Sequence, residues 1–128
     1  MKISKKLKPV FSDERGDITK IIDDGKTVIK SVLLITSKPN SIRANHYHKR
    51  DSHYCYLLSG KMEYFERGIK GGKVNRKIVT AGQMVFTPPL IVHTMRFLEK
   101  TSFLTLATEW RKKEAYENDI VRVKLIES

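Results

Sequence analysis

Cysteine is almost missing from this chain of 128 residues, which contains Cys55 and no second thiol. An intrachain disulfide is therefore excluded, and a cytoplasmic setting is the default expectation. Long apolar runs are also missing: stretches such as Val32–Ile35 are far too short to cross a bilayer, so no membrane association is expected. The first residues are charged and lack the apolar segment that marks a secretory signal.

Acidic residues are scarce: 14 Asp and Glu against 25 Lys and Arg give a formal net charge of +11. Such an excess favours an anionic partner, which can be a nucleic acid, a nucleotide or a phosphorylated small molecule. The basic residues are spread along the chain, and neither a zinc-finger spacing nor a basic leucine zipper is present. We therefore expect a small anionic molecule as the partner rather than nucleic acid.

No segment has a sustained helical period, and short β-branched or apolar segments alternate with turn residues. This pattern predicts an all-β sandwich or barrel, and the length together with 40% hydrophobic residues predicts one domain. The turn residues predict hairpins across Ser59-Gly60 and across 98–100, a strand over 18–22, a loop over 68–72, a short helical turn over 110–116 and an edge strand over 120–126.

The histidines are few and closely spaced. The chain has four, His46, His48, His53 and His93, and the first three fall within eight residues. Side chains at positions i and i+2 of a strand point to the same face, so His46 and His48 can converge on one ion. Because imidazole is the commonest protein ligand for transition metals, the spacing favours a metal site over the alternative of four hydrogen-bonding or surface histidines.

The spacing around these histidines resembles two motifs of the cupin family. The run His-x-His-x4-His-x6-Gly that ends at Gly60 resembles the first motif, which usually has glutamate at the position of His53. The run over 82–93 resembles the second motif, which normally has glycine at the position of Leu90. The resemblance implies a double-stranded β-helix, a small jelly-roll barrel. It places the motifs at 42–60 and 82–97 of a single domain spanning 1–128.

The cupin resemblance also implies a metal at the mouth of the barrel. The ligands carried over are His46, His48, His53 and His93. A fourth imidazole in place of the carboxylate favours a divalent transition metal (Zn, Fe, Ni, Co, Cu or Mn) over the harder Mg or Ca. Some cupins keep the barrel and lose the metal, and in that alternative the histidines act as acid–base groups.

A second resemblance concerns cupins that act on nucleotide sugars. The segment 13–18 resembles the opening of these cupins, and the segments 31–37 and Arg43–Tyr47 are similar to parts of the dTDP-4-dehydrorhamnose 3,5-epimerases. That resemblance implies a catalytic base at His46 and a substrate-binding group at Arg43. The catalytic aspartate and tyrosine of those epimerases match no position in this shorter chain, which favours the types considered next.

Two shorter types of nucleotide-sugar cupin also resemble the chain. The run His46–Lys49 resembles the dTDP-sugar 3,4-ketoisomerases, and Asn45–His48 resembles the metal-carrying cupin domain of capsule-synthesis enzymes. These resemblances imply an isomerase or epimerase of a nucleotide-linked keto-sugar, in polysaccharide or glycoconjugate biosynthesis. A metal-dependent dioxygenase or other small-molecule cupin enzyme, and a non-catalytic sugar- or metal-binding module, remain alternatives.

The implied chemistry begins with removal of a proton from the carbon beside a carbonyl. The resulting enediolate needs a positive group or a metal beside its oxygen. Histidine suits the base, but a metal-bound histidine cannot also be the free base. We assign His46, His48 and Tyr47 as candidate catalytic residues. If a metal is present, the alternative bases are Tyr47, Tyr54, Tyr56, Lys49 and Glu63.

Substrate binding is assigned to cations beside the histidines. Arg43, Lys49 and Arg50 are candidates for a pyrophosphate clamp, since Arg matches the geometry of phosphate oxygens. A homodimer is expected, because small jelly-roll cupins commonly pair their sheets and a strand within 1–11 can cross to a partner. Cys55 is predicted to be a small buried thiol of the core.

Overall fold

The computed structural model describes residues 1–126, and strands dominate it. Buried and exposed residues alternate along most of the strands, as expected where one face of a sheet covers a core. In chain order the elements are β1 (Lys2–Ile3), β2 (Phe11–Asp13), β3 (Gly16–Ile18), β4 (Ser31–Ser37), β5 (Ile42–His48), β6 (His53–Ser59), β7 (Lys61–Gly68), β8 (Gly71–Thr80), β9 (Met84–Thr87), β10 (Ile91–Phe97), β11 (Thr101–Ala107), α1 (Lys113–Asp119) and β12 (Ile120–Arg122).

Two antiparallel sheets of five strands form the protein. The first sheet has the order β1-β9-β6-β11-β4, the second has the order β12-β5-β10-β7-β8, and β2 pairs with β3 in a small ribbon. Strands that follow one another in the chain mostly lie in different sheets, which is the arrangement of a jelly roll. The predicted all-β jelly-roll fold is therefore confirmed.

The two predicted hairpins are wrong because the chain changes sheets at both turns. β6 pairs with β9 and β11, whereas β7 pairs with β8 and β10. Gly60 makes the first crossing with φ +93°, and a Cβ there would overlap Thr101 Oγ1 and the Lys100 carbonyl. Leu98 N donates to the Lys61 carbonyl at 2.9 Å, and this hydrogen bond connects the β6–β7 turn to the β10–β11 turn. Glycine is needed at this position for both its φ and its lack of a side chain.

Several shorter features also differ from their predictions. The predicted loop over 68–72 is the tight turn of a β7–β8 hairpin, in which Gly68 lies opposite Gly71. The predicted strand over 18–22 ends at Ile18, and the edge strand predicted over 120–126 ends at Arg122. After Arg122 the partner strand β5 continues, but it bulges at Ala44 and Asn45, and the Asn45 side chain accepts from Leu125 and Ile126 where a regular ladder would continue.

The interior between the sheets is apolar at one end. Leu57, Met62 and Phe97 are completely buried, and the ring of Phe103 stacks on that of Phe97 with centroids 5.7 Å apart. Cys55 belongs to the same cluster, so its predicted burial is confirmed. This apolar end closes the barrel and leaves the other end for polar groups.

The first strand pairs within its own chain: Lys2 of β1 lies opposite Phe86 of β9. Whether an N-terminal strand crosses to a second copy stays a prediction. Among residues 1–126, no helix is long and apolar enough to span a membrane.

Candidate functional site

All four histidines meet at the end of the barrel opposite the apolar cluster. β5 supplies His46 and His48 on one face, β6 begins at His53, and β10 places His93 directly opposite His46. The ring centroids of neighbouring members lie 4.2–4.8 Å apart, and those of His53 and His93 lie 6.5 Å apart. The structure therefore brings the four imidazoles together, as the sequence predicted.

A β-bulge shapes the strand that carries two of these histidines. The register of β10 against β5 passes from His93–His46 to Thr94–Ala44 and leaves Asn45 as the extra residue. Ala44 and Asn45 have φ of 75° and 53°, in the left-handed region that L-residues usually avoid. The Asn45 side chain stabilises the bulge by accepting hydrogen bonds from Thr94 Oγ1 at 2.6 Å and from the main chain of Leu125 at 2.9 Å. Bulges of this kind re-aim side chains next to active sites.

Two groups of ligand-type side chains lie within the cluster. His46, His48 and His93 bring one ring nitrogen each to within 4.8 Å of one another, and His48 forms a second such group with Asp51 and His53. The four-histidine site therefore divides into three imidazoles that face one point and a fourth that pairs with a carboxylate.

Burial keeps the three clustered imidazoles neutral. It is the main cause that lowers the pKa of His46 to about 2, and repulsion from the other histidines adds to it. Burial likewise lowers the pKa of His93 to about 3. It lowers that of His48 to about 4, although Asp119 opposes the shift. Neutral imidazoles have a lone pair to offer to a metal or to a proton.

The donor set fits a divalent transition metal. His48 Nδ1 lies 3.1 Å from Asp119 Oδ2. Among the described residues, His48 Nε2 is the buried side-chain nitrogen that has no hydrogen-bond partner. His93 Nδ1 donates to the Ile91 carbonyl at 3.2 Å, which leaves Nε2 of that ring as the ligand atom. Metal-binding histidines usually hold their second nitrogen in this way.

His53 is held differently, through its Nε2. That nitrogen lies 2.8 Å from Asp51 Oδ2, so Nδ1 is the atom left to face the pocket. Asp51 is itself fixed, because its Oδ1 accepts from the main chain of Thr108 and Glu109 at 2.9 and 3.1 Å. Burial alone would raise the pKa of Asp51, but the hydrogen bonds and the nearby imidazoles lower it overall. His53 and Asp51 thus form a buried imidazole–carboxylate pair.

A pocket of about 490 Å³, including its open part, lies against the cluster. His46, His53 and His93 line its inner wall, and Ile35, Met95 and Phe103 form its apolar wall. Arg43, Arg111 and Tyr116 complete the lining, and of the described residues in the wall none is acidic. Cys55 is also exposed to this space, but burial raises the pKa of its thiol to about 11. A partly apolar wall with two arginines and, among the described residues, no acidic one suits a ligand that has one uncharged and one anionic part.

The other predicted site residues lie elsewhere. Among the described residues, Tyr47, Lys49 and Arg50 are outside the pocket wall. Tyr47 points to the opposite face of β5 from the histidines on either side of it, because side chains alternate along a strand. Arg50 is exposed and places its Nε 3.8 Å from Asp119 Oδ1. The predicted alternative base Glu63 instead binds Arg96 and Arg76.

Four residues of the candidate site were missed from the sequence: the carboxylates Asp51 and Asp119, and the pocket residues Arg111 and Tyr116. Asp119 lies 71 positions from the histidine that it contacts, so no local spacing could connect them. Asp51, two positions before His53, offered a detectable signal as a carboxylate next to an imidazole.

The sequence profile of the cupin domain matches residues 33–108, which covers more than half of the chain. This chain belongs to the cupin family. The matched region contains all four histidines of the cluster and the β10–β5 pairing that positions two of them. No curated protein matches the sequence of this cupin significantly.

Solved structures similar to this cupin include sugar-modifying enzymes. A double mutant of the 3,4-ketoisomerase QdtA from Thermoanaerobacterium thermosaccharolyticum, in complex with TDP, is 26% identical, with a TM-score of 0.68 over 94% of this chain and 86% of that chain. A 3,4-ketoisomerase from Helicobacter canadensis is 22% identical, with a TM-score of 0.76 over 94% and 89%. A dTDP-4-dehydrorhamnose 3,5-epimerase from Sulfolobus tokodaii is 16% identical, with a TM-score of 0.69 over 82% and 69%.

Proposed function

We propose that this cupin is an isomerase or epimerase that acts on a nucleotide-linked keto-sugar. The observation that carries the proposal is the pocket, whose inner wall is three buried imidazoles and whose cations are Arg43 and Arg111. The likeness to a 3,4-ketoisomerase in complex with TDP supports the same substrate class. The neutral keto-sugar would enter among the imidazoles, and the charged nucleotide would stay near the arginines.

His53 is the base that we assign to the reaction. It removes the proton from the carbon beside the carbonyl through Nδ1, because Asp51 holds Nε2 and fixes the tautomer. A carboxylate that orients an imidazole in this way also stabilises the imidazolium that forms. The electron pair moves to the carbonyl oxygen and gives an enediolate, and return of the proton to a neighbouring carbon or to the other face completes isomerisation or epimerisation.

This assignment resolves a conflict between two roles predicted for the same residues. A histidine bound to a metal cannot be the free base, yet four histidines were assigned to the metal. His46, His48 and His93 can hold an ion while His53 and Asp51 move the proton. A bound transition metal would act as a Lewis acid towards an oxygen of the substrate.

Proton abstraction is tested by deuterium exchange. The protein is incubated in D2O with a dTDP-linked 4-keto-6-deoxyhexose, and we expect deuterium at the carbon beside the carbonyl, measured by NMR or mass spectrometry. His53→Gln should slow the exchange about 10²–10⁴-fold, because general-base catalysis contributes a factor of this size. Lys73→Gln is the control, since Lys73 is exposed on β8 and lies outside the pocket wall.

Two outcomes would contradict separate parts of this proposal. Absence of exchange in the wild-type protein with 4-keto sugars would overturn the reaction class. Undiminished exchange in His53→Gln, with loss in His46→Gln, would overturn only the assignment of the base.

A metal-dependent enzyme is a second candidate, favoured by the buried and unpartnered Nε2 of His48. Elemental analysis of protein purified without added metal should then find near-stoichiometric Zn, Fe, Ni, Co, Cu or Mn. His48→Ala should lose most of it, because removing a ligand weakens coordination strongly. Metal retained at the same level in both His48→Ala and His93→Ala would contradict the site.

We also propose that the cupin works as a homodimer through the outer face of its first sheet. Two apolar rows cross that face in register: Leu34, Leu104, Tyr56 and Met84 in one row, and Val32, Leu106, Tyr54 and Phe86 in the other. Leu34 and Val32 are 65% and 60% exposed. Exposed apolar patches of this extent mark interaction surfaces. Analytical ultracentrifugation should find a dimer that Leu34→Lys dissociates, and a monomeric wild-type protein would contradict it.

A further inference from the structure

Residues 110–118 form a segment, here called the lid, whose two ends are fixed by buried carboxylates. Asp51 fixes the first end, because its Oδ1 accepts from the main-chain N–H groups of Thr108 and Glu109. The Ser31 hydroxyl donates to the Glu109 carbonyl at 3.1 Å and adds a contact to β4. The chain is therefore held in place just before the lid begins.

The second end of the lid is fixed at Asp119, the last residue of α1. Its Oδ1 accepts from Arg50 N at 2.8 Å, and its own carbonyl accepts from Lys49 N at 2.8 Å. Asp119 is only 3% exposed, so this anchor is a buried one.

Each anchoring carboxylate also holds a histidine of the cluster. Asp51 contacts His53 at 2.8 Å, and Asp119 contacts His48 at 3.1 Å. The orientation of two imidazoles and the position of both ends of the lid therefore depend on the same two side chains.

Between its anchors the lid directs two side chains into the pocket. Arg111 and Tyr116 line the pocket wall, and the Arg111 guanidinium lies 4.2 Å from the centre of the Tyr116 ring. Both are half-buried, whereas the residues over 112–115 and 117–118 are exposed. The ring thus holds a guanidinium that keeps its hydrogen-bond donors for a ligand.

The charges around the pocket indicate which part of a ligand Arg111 would bind. A nucleotide-linked keto-sugar has its fixed negative charge on the diphosphate, while the sugar is neutral. The inner wall consists of buried imidazoles and apolar side chains, with no acidic residue among those that the structure describes, so it suits the sugar. Arg43 Nε and Nη2 already donate to Ser37 Oγ and to the Thr36 carbonyl. The diphosphate is then left to Arg111, because a guanidinium offers forked donors that match phosphate oxygens.

We propose that Arg111 is a diphosphate-binding residue, carried by a lid that closes over the nucleotide. The proposal rests on the proposed function and replaces the predicted clamp of Lys49 and Arg50, which lie outside the pocket wall. It does not use Arg43, whose Nε and Nη2 donate to Ser37 Oγ and to the Thr36 carbonyl. The carboxylates that anchor the lid, Asp51 and Asp119, also hold His53 and His48. Closure of the lid over the diphosphate would therefore orient the histidine cluster at the same time.

Binding of TDP, measured by calorimetry, tests the role of Arg111. The wild-type protein should bind TDP, and Arg111→Gln should weaken binding about tenfold or more, because hydrogen bonds to charged groups are lost. Lys113→Gln is the matched control: it removes the same charge from the lid at an exposed position outside the pocket wall, and it should change affinity less than twofold.

Movement of the lid has its own readout, because Trp110 is the only tryptophan of the chain and is 64% exposed. TDP should change the Trp110 emission saturably, and it should slow tryptic cleavage after Lys112 and Lys113. Saturating TDP should give no such protection in Arg111→Gln, although the variant's circular dichroism should match that of the wild-type protein.

The outcomes separate this inference from the function on which it rests. If the wild-type protein binds TDP and Arg111→Gln binds equally well, the inference is overturned and the proposed function stands. Equal weakening by Lys113→Gln would also overturn it, since net charge would then explain the effect. Binding of TDP without any change in Trp110 emission or in tryptic cleavage would contradict the closure of the lid. If the wild-type protein does not bind TDP, the nucleotide-linked substrate fails, and the inference fails with it.

Discussion

The two ends of the barrel are made from the same strands but hold opposite kinds of side chain. At the apolar end β6 and β10 finish with Leu57 and Phe97, which are fully buried against other hydrophobic groups. At the histidine end the first halves of the same two strands carry His53 and His93, which are also buried but polar. Burial of apolar groups stabilises the fold, whereas burial of imidazoles costs desolvation free energy. The difference indicates that one end provides stability and the other provides chemistry.

Backbone conformation follows the same division. Three of the four described non-glycine residues with positive φ, namely Ala44, Asn45 and Leu90, lie next to the histidine strands. Strained residues of this kind persist where the surrounding structure over-determines them, and they cluster at functional sites. At the apolar end positive φ falls on Gly60, for which it costs little, and on Asn40, whose N–H donates to the Phe97 carbonyl at 2.7 Å.

The largest expected effect comes from deleting a ring at the apolar end. Phe97→Ala should lower the free energy of unfolding by about 3–5 kcal/mol, because it removes buried apolar surface and leaves a cavity. His46→Ala at the other end should cost clearly less, since the loss of packing is partly offset by removing a buried polar group. Chemical denaturation of both variants measures the difference, and equal losses would contradict the division between the ends.

Gly60→Ala should have the next largest effect. The substitution combines an unfavourable φ with overlap against Thr101 and the Lys100 carbonyl, so a loss of roughly 2–4 kcal/mol is expected. Gly25→Ala is the control, because its φ is +72° but nothing lies within 4 Å of the added carbon. A similar loss in both variants, measured by thermal unfolding, would show that backbone strain alone is responsible.

A carboxylate near the apolar end, Glu63, contributes a pH-dependent part of the stability that can be measured by itself. Hydrogen bonds from Arg96 and from Arg76 lower the pKa of Glu63, with the Arg96 bond the largest cause. Because the folded-state pKa is depressed, this stabilisation is present above the ordinary range of a glutamate and is lost as the pH falls through it. Glu63→Gln should cost about 1 kcal/mol at neutral pH, since both arginines are partly exposed.

The pH profile itself is the check on Glu63. The stability difference between the wild-type protein and Glu63→Gln should shrink as the pH is lowered to about 4, the ordinary range for glutamate. A difference that stays constant with pH would mean that the ion pairs do not contribute.

Much of this arrangement could be predicted from the sequence. The features that could not be predicted are those that depend on residues far apart in the chain. The four histidines were predicted together because three are neighbours in the chain and strand alternation fixes their face. The sheet changes at Gly60 and after Phe97 were not predicted, because a tight turn between two strands has the same local sequence whether they pair or separate. Asp119 reaches His48, 71 positions away, only after the jelly roll is assembled.

The smallest expected effect is a gain of stability at the histidine end. Leu90 has φ of 65°, is 47% exposed, and lies where the second cupin motif normally has glycine. Leu90→Gly should raise the free energy of unfolding by about 0.5–1 kcal/mol, because relief of the left-handed strain exceeds the entropic cost of glycine. Leu98 is similarly exposed, but its φ is not positive. Leu98→Gly should therefore lower the free energy of unfolding. Loss of stability in both variants would contradict the strain at Leu90.

Cys55 is a chemical probe of the interior beside the histidines. Its thiol faces the space beside the histidines, but a pKa of about 11 leaves almost none of it as the reactive thiolate at neutral pH. A maleimide should therefore label the folded protein very slowly, because the thiol is also buried. Labelling in denaturant should be much faster, and with one cysteine in the whole sequence it should give the mass of a single adduct.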